Sequence, residues 1–329
     1  TIAIPTRNRE ALLERALASA LGQDYANVEI VVSDNASSDG TAAYLGSVSD
    51  PRVRRYRQET LIPLPENWDF CLHQARGDFL LVLSDDDHLL PRAVSSLVAL
   101  YDRHPSLELA YGRVRVDDST GIWEASTEST GPAFEPGADL VEGFFRWKRT
   151  VLPSAALFRT GSLARNGGFS RGGLKLGVDI LAWACAVLPD HDAACSEDIL
   201  AVYNFHGESV SNKVPPAVWV EDFDRLIGEI RKQYGPGNHA SLKRIERAWK
   251  AYRLMPHLNS LLRRSGNRTP YLVRLARFTV LFPRFAVLGA GREALGRGAR
   301  GLLPGWAFSP LRRAYLLLSS RPRRGRSRA

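Results

Sequence analysis

Short apolar runs alternate with amphipathic stretches over the first hundred residues of the chain. The apolar runs are rich in β-branched residues and have the length of buried strands, whereas the stretches between them repeat apolar residues at helical spacing. The predicted strands are residues 1–6, 28–33, 52–58 and 79–84, and the predicted helices are residues 9–22, 41–48, 65–75 and 91–105. This alternation indicates a doubly wound α/β sheet, in which ligands bind where the strands end.

The pattern changes along the rest of the chain, and from residue 215 onward helical patterns rich in arginine dominate. Before that point the predictions are a strand at residues 107–118, irregular structure at 119–150, a strand, helix and glycine turn within 154–170, and a helix at 178–188. We therefore expect a mixed, doubly wound α/β domain over residues 1–214. A helical, basic C-terminal region over residues 215–329 completes the predicted organisation.

One stretch of the C-terminal region is amphipathic. Within residues 271–282, a single helical face carries Leu272, Leu275, Phe278 and Phe282. Uncharged runs in this region are shorter than the roughly 20 residues that a membrane-spanning helix requires. Two interpretations remain open, namely a helix packed on the α/β domain and a helix that lies in a membrane interface.

Charge is distributed unevenly. Residues 243–329 contain 21 basic and two acidic residues, a net charge of +19, whereas residues 1–242 contain 23 basic and 33 acidic residues, a net charge of −10. A basic region of this kind favours contact with an anionic surface, either a membrane or a nucleic acid. We expect the membrane and not nucleic acid, because an apolar helical face suits lipid better than phosphate.

The cysteines indicate a reducing compartment. Cys71, Cys185 and Cys195 show no paired spacing, so the sequence supports neither a disulfide framework nor a zinc site. Taken with the basic C-terminal region, this predicts a cytoplasmic protein that is peripheral on the inner face of the cell membrane.

Three consecutive carboxylates follow the last apolar run, in the segment LLVLSDDDHLLP. Asp85, Asp86 and Asp87 repel one another when ionised, so solvent, a basic side chain or a divalent cation must offset their charge. Carboxylates at a strand end suit Mg²⁺ or Mn²⁺, which complete their coordination with water and phosphate oxygens. A solvated acidic turn is the alternative. Asp34 ends another predicted strand and is open to two interpretations, a turn residue or an acceptor for a base or ribose.

Five segments together resemble glycosyltransferase family 2, a family of inverting enzymes with a GT-A type fold. IAIPTRN resembles the opening strand and turn of the family, VVSDNASSDGT its D-N-x-S-x-D-G-T segment, and ARGDFLLVLSDDDHLLP its D-x-D stretch. GGFS followed by GVDILAW resembles the G-G-F and acidic D-x-x-x-W region, and YNFHGESVS the closing segment of the family. The resemblance covers residues 1–212.

The resemblance implies roles for individual residues. The implied nucleotide-binding residues are Pro5, Thr6, Arg7, Asp34, Asn67 and Asp85, with Asp34 at the base and Asp85 facing the ribose. The implied metal ligands are Asp86, Asp85, Asp87 and His206. The D-x-D motif can be placed in two ways. If it is placed by its distance from Pro91, its ends are Ser84 and Asp86, whereas if it is placed by residue type, its ends are Asp85 and Asp87. We take Asp86 as the principal ligand.

Asp179 matches the general base of the family, although Val178 stands where the family has a second acidic residue. The implied reaction is a single displacement that moves a sugar from a nucleotide-diphosphate donor, with UDP or dTDP preferred, to a hydroxyl group. The acceptor is expected to be a glycan or a lipid-linked saccharide, in a pocket shaped by residues 113–175.

Two other functions remain open at this stage. A sugar-nucleotide nucleotidyltransferase also uses an α/β fold and Mg²⁺, but it needs a glycine-rich loop after the first strand, and PTRNRE contains no glycine. A non-enzymatic protein whose basic C-terminal region binds nucleic acid is the second alternative.

Overall fold

The computed structural model describes residues 1–118, 121–124, 133–146, 148–204, 216–237 and 239–249. Thr1–Glu246 form one compact unit. Its strands are β1 (Ile2–Thr6), β2 (Ile30–Asp34), β3 (Val53–Arg57), β4 (Phe79–Val82), β5 (His88–Leu89), β6 (Leu109–Asp118), β7 (Gly121–Glu124), β8 (Ala133–Pro136), β9 (Ala156–Arg159) and β10 (Asp192–Asn204). His206 and the amphipathic stretch at 271–282 lie outside the described residues.

Nine helices accompany these strands in the described part of the chain. They are α1 (Glu10–Leu21), α2 (Thr41–Ser47), α3 (Leu64–Gln74), α4 (Ala93–Arg103), α5 (Gly137–Phe145), α6 (Thr160–Arg165), α7 (Val178–Val187), α8 (Pro216–Gln233) and α9 (Ala240–Trp249). Apart from the short strand β5, which was not predicted, the strands and helices of the first hundred residues agree with the sequence pattern to within a few residues at each boundary.

The strands form one mixed sheet in the order β3-β2-β1-β4-β9-β6-β10-β5, with β7 paired to β6 and β8 to β10. The first four strands are parallel. β9 is antiparallel to both β4 and β6, whereas β10 runs parallel to β6. The predicted mixed, doubly wound α/β sheet is therefore confirmed.

Strand β1 shows why the apolar runs are continuous. All five of its residues are buried, because helices cover both faces of the parallel part of the sheet. Ile2 and Ile4 belong to the core cluster that includes Leu13 and Leu17 of α1. The opposite face of the sheet packs against α3, whose Cys71 is fully buried. This double burial aligns the carboxyl ends of β1, β2 and β4 at one edge.

The prediction of irregular structure at residues 119–150 is wrong for part of this segment. Helix α5 contains two glycines and would be a weak helix in isolation. It forms because Leu140, Val141 and Phe145 are buried against its neighbours, which include α7. The sequence pattern also missed strand β10, since its alternation breaks at a register shift after Ser196.

The C-terminal region begins as part of the compact unit. Helix α8 packs against α7, and its Phe223, Leu226 and Ile230 are buried. The two interpretations of residues 271–282 both remain predictions, as does the boundary at residue 214. None of the helices in the described part of the chain has the length and hydrophobicity of a bilayer span.

Candidate active site

The ends of β1, β2 and β4 bring three predicted site residues to one edge of the sheet. Thr6 pairs in register with Asp34 across β1 and β2. The Thr6 hydroxyl donates a hydrogen bond to Asp85 Oδ2 at 2.7 Å, which joins the end of β1 to the loop after β4. Because the partners are 79 residues apart in the chain, only the parallel sheet brings them together.

A cavity of about 870 Å³ opens at this edge. Of the six predicted nucleotide-binding residues, five line it: Pro5, Thr6, Arg7, Asn67 and Asp85. The structure adds side chains that the sequence did not single out, among them Arg9, Asn35, Leu61, Ile62 and Trp68. This volume and this mixture of apolar and polar side chains are typical of a small-molecule site.

Asp34, the sixth residue, does not line the cavity, although its neighbour Asn35 does. The Asp34 side chain is fully buried, and Oδ1 accepts a hydrogen bond from the Ser37 N–H at 2.9 Å. Its Oδ2 has no hydrogen-bond partner within the described residues. Arg57 Nη1 lies 3.3 Å from that oxygen, at the distance of an ion pair. The positive charge of Arg57 offsets part of the cost of burying this oxygen, which still lacks a well-formed hydrogen bond.

Hydrogen bonds join the loop after β1 to the loop after β2. Asn8 and Ala36 both have a φ of 53°, a left-handed conformation that non-glycine residues seldom adopt. The Asn8 N–H donates to Ser37 Oγ at 2.9 Å, and Asn8 Oδ1 accepts from the Ser38 N–H at 2.7 Å. These contacts hold both strained residues in place at the mouth of the cavity.

Arg9 supplies the charge that the acidic triplet requires. Its Nη1 donates to Asp85 Oδ1 at 2.7 Å and to Asp86 Oδ2 at 2.8 Å. Burial raises the pKa of Asp85, and the positive charge of Arg9 opposes that rise. Arg9 was not among the predicted site residues. Its position just after β1, opposite three acidic residues at the next strand end, is the signal that could have identified it.

Asp87 differs from its two neighbours because its carboxylate is turned into the protein. Oδ2 accepts from the Ser154 hydroxyl at 2.6 Å and Oδ1 from the Asn204 N–H at 3.0 Å. Burial raises the pKa of Asp87 to about 8. Asn204 also donates through its amide to the Asp86 carbonyl oxygen, so the end of β10 fixes the triplet. Neither Ser154 nor Asn204 was among the predicted site residues.

The donor set fits a divalent cation that shares its coordination with a diphosphate. Within the described residues, no group of three or more His, Cys, Asp or Glu side chains is arranged to hold a metal alone. Magnesium, however, needs only one or two protein carboxylates when substrate oxygens complete the shell. Asp85 and Asp86 are adjacent, with side chains 8% and 12% exposed. The predicted ligand His206 lies outside the described residues.

Asp179 is the second residue of α7, directly after Gly177 and Val178. Burial raises its pKa to about 6 and outweighs the hydrogen bond from the Ile180 N–H, which acts in the opposite direction. The pKa of the partly buried Tyr203 is raised to about 12 by burial and by the negative charges of Asp87, Asp86 and Asp179. Tyr203 therefore lies within electrostatic range of the predicted base and of two carboxylates of the triplet.

A nucleotide-sized cavity and an acidic strand end thus lie at one edge of the sheet. This combination, on a mixed sheet of this topology, defines a GT-A type fold. The family model of glycosyl transferase family 2 matches residues 1–165, and the chain belongs to that family. The family and the fold predicted from the sequence are confirmed.

Curated relatives match parts of the chain. A Mycobacterium tuberculosis protein named as uncharacterized is 31% identical over 56% of this chain and 60% of its own length. The GalNAc(5)-diNAcBac-PP-undecaprenol beta-1,3-glucosyltransferase of Campylobacter jejuni is 38% identical over 30% of this chain and 33% of its own length. The chain therefore spans about a third to three fifths of these relatives.

Solved structures share the fold. S. aureus TarS in complex with UDP-GlcNAc has a TM-score of 0.62 at 20% identity, covering 97% of this chain and 86% of TarS. The Pyrobaculum calidifontis mannosyltransferase PcManGT, with GDP-Man and Mn²⁺, has a TM-score of 0.55 at 16% identity, covering 97% of this chain and 85% of PcManGT. At these identities the similarity concerns the fold alone.

Proposed function

We propose that the protein is an inverting glycosyltransferase that moves a sugar from a nucleotide-diphosphate donor to an acceptor hydroxyl. The observation that carries this proposal is the placement of five predicted nucleotide-binding residues around one cavity, beside Asp85 and Asp86. Membership of glycosyl transferase family 2 supports the same reaction class.

The carboxylate of Asp34 is expected to favour donors whose nucleobase carries a ring N–H. Uracil, thymine and guanine present a ring N–H beside a carbonyl, whereas cytosine and adenine present a ring nitrogen lone pair at that place. The Asp34 carboxylate accepts from the former and repels the latter. Asp34 directly precedes Asn35, which lines the cavity, and its Oδ2 oxygen lacks a hydrogen-bond partner among the described residues. We therefore favour UDP- or dTDP-sugars as donors, and GDP-sugars satisfy the same argument.

The diphosphate belongs beside Asp85, Asp86 and Arg9. Asp85 and Asp86 would hold Mg²⁺ or Mn²⁺, and the cation supplies charge stabilisation for the diphosphate leaving group when it is bound. Arg9 contributes a fixed positive charge at the same place, and Thr6 keeps Asp85 oriented through its hydroxyl. Asp87, whose carboxylate accepts a hydrogen bond from Ser154 inside the protein, suits a role in shaping the loop after β4.

Asp179 is the proposed general base. Its pKa of about 6 leaves it ionised at neutral pH yet more basic than an ordinary aspartate, as proton removal requires. The acceptor hydroxyl loses its proton to Asp179 while its oxygen attacks the anomeric carbon, and the nucleotide diphosphate leaves from the opposite side. One displacement of this kind inverts the anomeric configuration.

A panel of nucleotides tests the donor site. We expect UDP, dTDP or GDP to raise the melting temperature by several degrees at saturating concentration, more strongly with Mn²⁺ than without, and ADP or CDP to have little effect. Asp34→Ala should lose the discrimination between bases while it keeps the response to Mn²⁺. Equal stabilisation by all five nucleotides in the unaltered protein would contradict the assignment of Asp34.

The products identify the reaction. With a matching sugar nucleotide, transfer releases a nucleoside diphosphate, whereas nucleotidyl chemistry consumes or releases pyrophosphate. Anomeric analysis of the glycoside by NMR separates inversion from retention. Pyrophosphate as the product would replace the proposed function with the nucleotidyltransferase alternative.

We further propose a lipid-linked saccharide as the acceptor and an anionic membrane surface as the partner of the basic C-terminal region. The name of the Campylobacter jejuni relative specifies an undecaprenol-linked acceptor. The charge of +19 over residues 243–329 suits an anionic bilayer, as does the amphipathic stretch at 271–282.

Co-sedimentation with liposomes tests the membrane proposal. We expect retention on vesicles that contain anionic lipid, a loss of retention at high salt, and little retention on neutral vesicles. Replacing the five arginines of the terminal RPRRGRSRA segment by glutamine in the full chain should weaken retention. Tight binding to an oligonucleotide without binding to liposomes would instead support the nucleic-acid alternative.

A further inference from the structure

The segment that precedes Asp179 has little conformational preference of its own. Residues 171–177 contain three glycines with positive φ, namely Gly172 at 74°, Gly173 at 62° and Gly177 at 68°. Glycine adopts such conformations without steric cost but also adopts many others. A single conformation of this segment therefore depends on contacts from other parts of the molecule.

Asp222 of α8 provides two of these contacts. Its Oδ2 accepts hydrogen bonds from the backbone N–H groups of Lys175 at 2.8 Å and Leu176 at 2.9 Å. Asp222 is only 2% exposed, and burying a carboxylate is costly unless its oxygens are hydrogen-bonded. The two backbone bonds offset that cost and fix the chain just before α7 begins.

Leu226, one turn further along α8, lies beside Gly177 at the start of α7. A Cβ placed on Gly177 would lie 3.4 Å from Leu226 Cδ1, an ordinary van der Waals distance, so Leu226 lies next to the Gly177 backbone. Leu226 is 1% exposed. Gly177 is the N-terminal boundary residue of α7, and Asp179 follows two positions later. Two side chains of α8, Asp222 and Leu226, therefore contact the chain just before Asp179.

A second buried carboxylate holds the other end of the same stretch. Asp69 of α3 accepts from the N–H groups of Phe169 at 2.6 Å and Ser170 at 3.0 Å. Helix α3 also contributes Asn67 and Trp68 to the nucleotide cavity. The stretch at residues 169–176 is thus hydrogen-bonded at one end to α3, which also lines the nucleotide cavity, and at the other end to α8.

We propose that Asp222 is a positioning residue for sugar transfer, which places Asp179 against the acceptor hydroxyl by fixing the backbone of Lys175 and Leu176. This inference rests on the proposed function, in which Asp179 is the general base. It assigns a role in the reaction to a helix that lies beyond residues 1–165, where the family model matches.

Kinetics of Asp222 variants test the proposal. Displacement of a reacting group by about 1 Å can cost about a hundredfold in rate. We expect Asp222→Ala to lower kcat by about ten- to a hundredfold while the donor KM changes less than about twofold. Asp222→Asn retains an oxygen that can accept both N–H groups, so it should recover most of the rate. Asp222→Glu keeps the charge but shifts the acceptor by one methylene group, and its kcat should fall between those of the alanine variant and the unaltered protein.

A titration supplies a readout that does not require activity. The carboxyl carbon resonance of Asp179, assigned by its loss in Asp179→Asn, should titrate near pH 6 in the unaltered protein. In Asp222→Ala or Asp222→Glu, loosening of the segment admits water, and the midpoint should move to lower pH. The acid limb of the pH profile of kcat should move in the same direction.

Arg231→Ala is the matched control. Arg231 lies on the same helix and pairs with Glu246 at the surface, so its loss tests damage to α8 without disturbing the segment. We expect unchanged kcat and an unchanged Asp179 titration. If the Asp222 variants keep a normal kcat and titration, or lose donor binding in proportion to kcat, the positioning role is overturned. If the unaltered protein binds nucleotide but transfers no sugar, the proposed function fails, while the titration still decides the positioning role.

Discussion

Asp179→Asn is expected to abolish sugar transfer and to leave nucleotide binding intact. The amide has nearly the shape of the carboxylate but cannot take the proton of the acceptor hydroxyl, and general bases contribute about a hundred- to ten-thousandfold to enzymatic rates. Asp179 is not among the residues that line the nucleotide cavity. The expected result is therefore a loss of kcat of this size, with the affinity for nucleoside diphosphate changed less than about twofold.

The pH dependence gives the same assignment a second test. Burial raises the pKa of Asp179 to about 6, so the base is ionised above that pH and protonated below it. The kcat of the unaltered protein should accordingly fall tenfold per unit as the pH drops below about 6. Asp102→Asn, at an exposed position on α4, is a matched control with no expected effect. Near-normal turnover by Asp179→Asn would show that another group is the base.

Asp86→Ala is expected to reduce transfer by about a hundred- to a thousandfold, the usual cost of removing an electrostatic contact to a developing charge. Asp86 has the more exposed side chain of the two carboxylates that Arg9 bridges, and its removal leaves the bond between Arg9 and Asp85 in place. The variant should therefore fold. It should lose the part of nucleotide binding that depends on Mn²⁺, because a proposed ligand of the cation is gone.

Isothermal titration of UDP with and without Mn²⁺ measures that dependence. Asp198→Ala serves as the control, since Asp198 is an acidic residue that bonds the Ser96 hydroxyl at the surface, away from the cavity. The control should keep both activity and the response to Mn²⁺. Should Asp86→Ala retain a full response to Mn²⁺, the cation is held by other groups and the assignment of Asp86 is wrong.

The acidic triplet shows what could be predicted from local sequence and what could not. The apolar run before Asp85 and the proline after the triplet identified a strand end, because such runs form wherever helices cover both faces of a strand. The sequence could not separate Asp87 from its neighbours. That difference arises from Ser154 and Asn204, which lie 67 and 117 residues further along the chain.

Arg9 was missed for a related reason. Its local sequence is that of a helix start, where a basic residue has no special meaning, and its role depends on two carboxylates 76 and 77 residues away. Helix α5 was missed because its own residues are weak helix formers, and only burial against neighbouring elements stabilises it. In both cases the deciding interactions are distant in sequence.

The sequence by itself determined the class of fold, the family and the two acidic positions at which chemistry is expected, because periodicity, strand-end residues and ordered motifs are local properties of the chain. The tertiary structure alone decided which residues line the cavity, which basic side chain offsets the triplet, and which helix contacts the segment before Asp179. These depend on contacts between residues far apart in the chain, whose geometry exists only once the sheet has assembled.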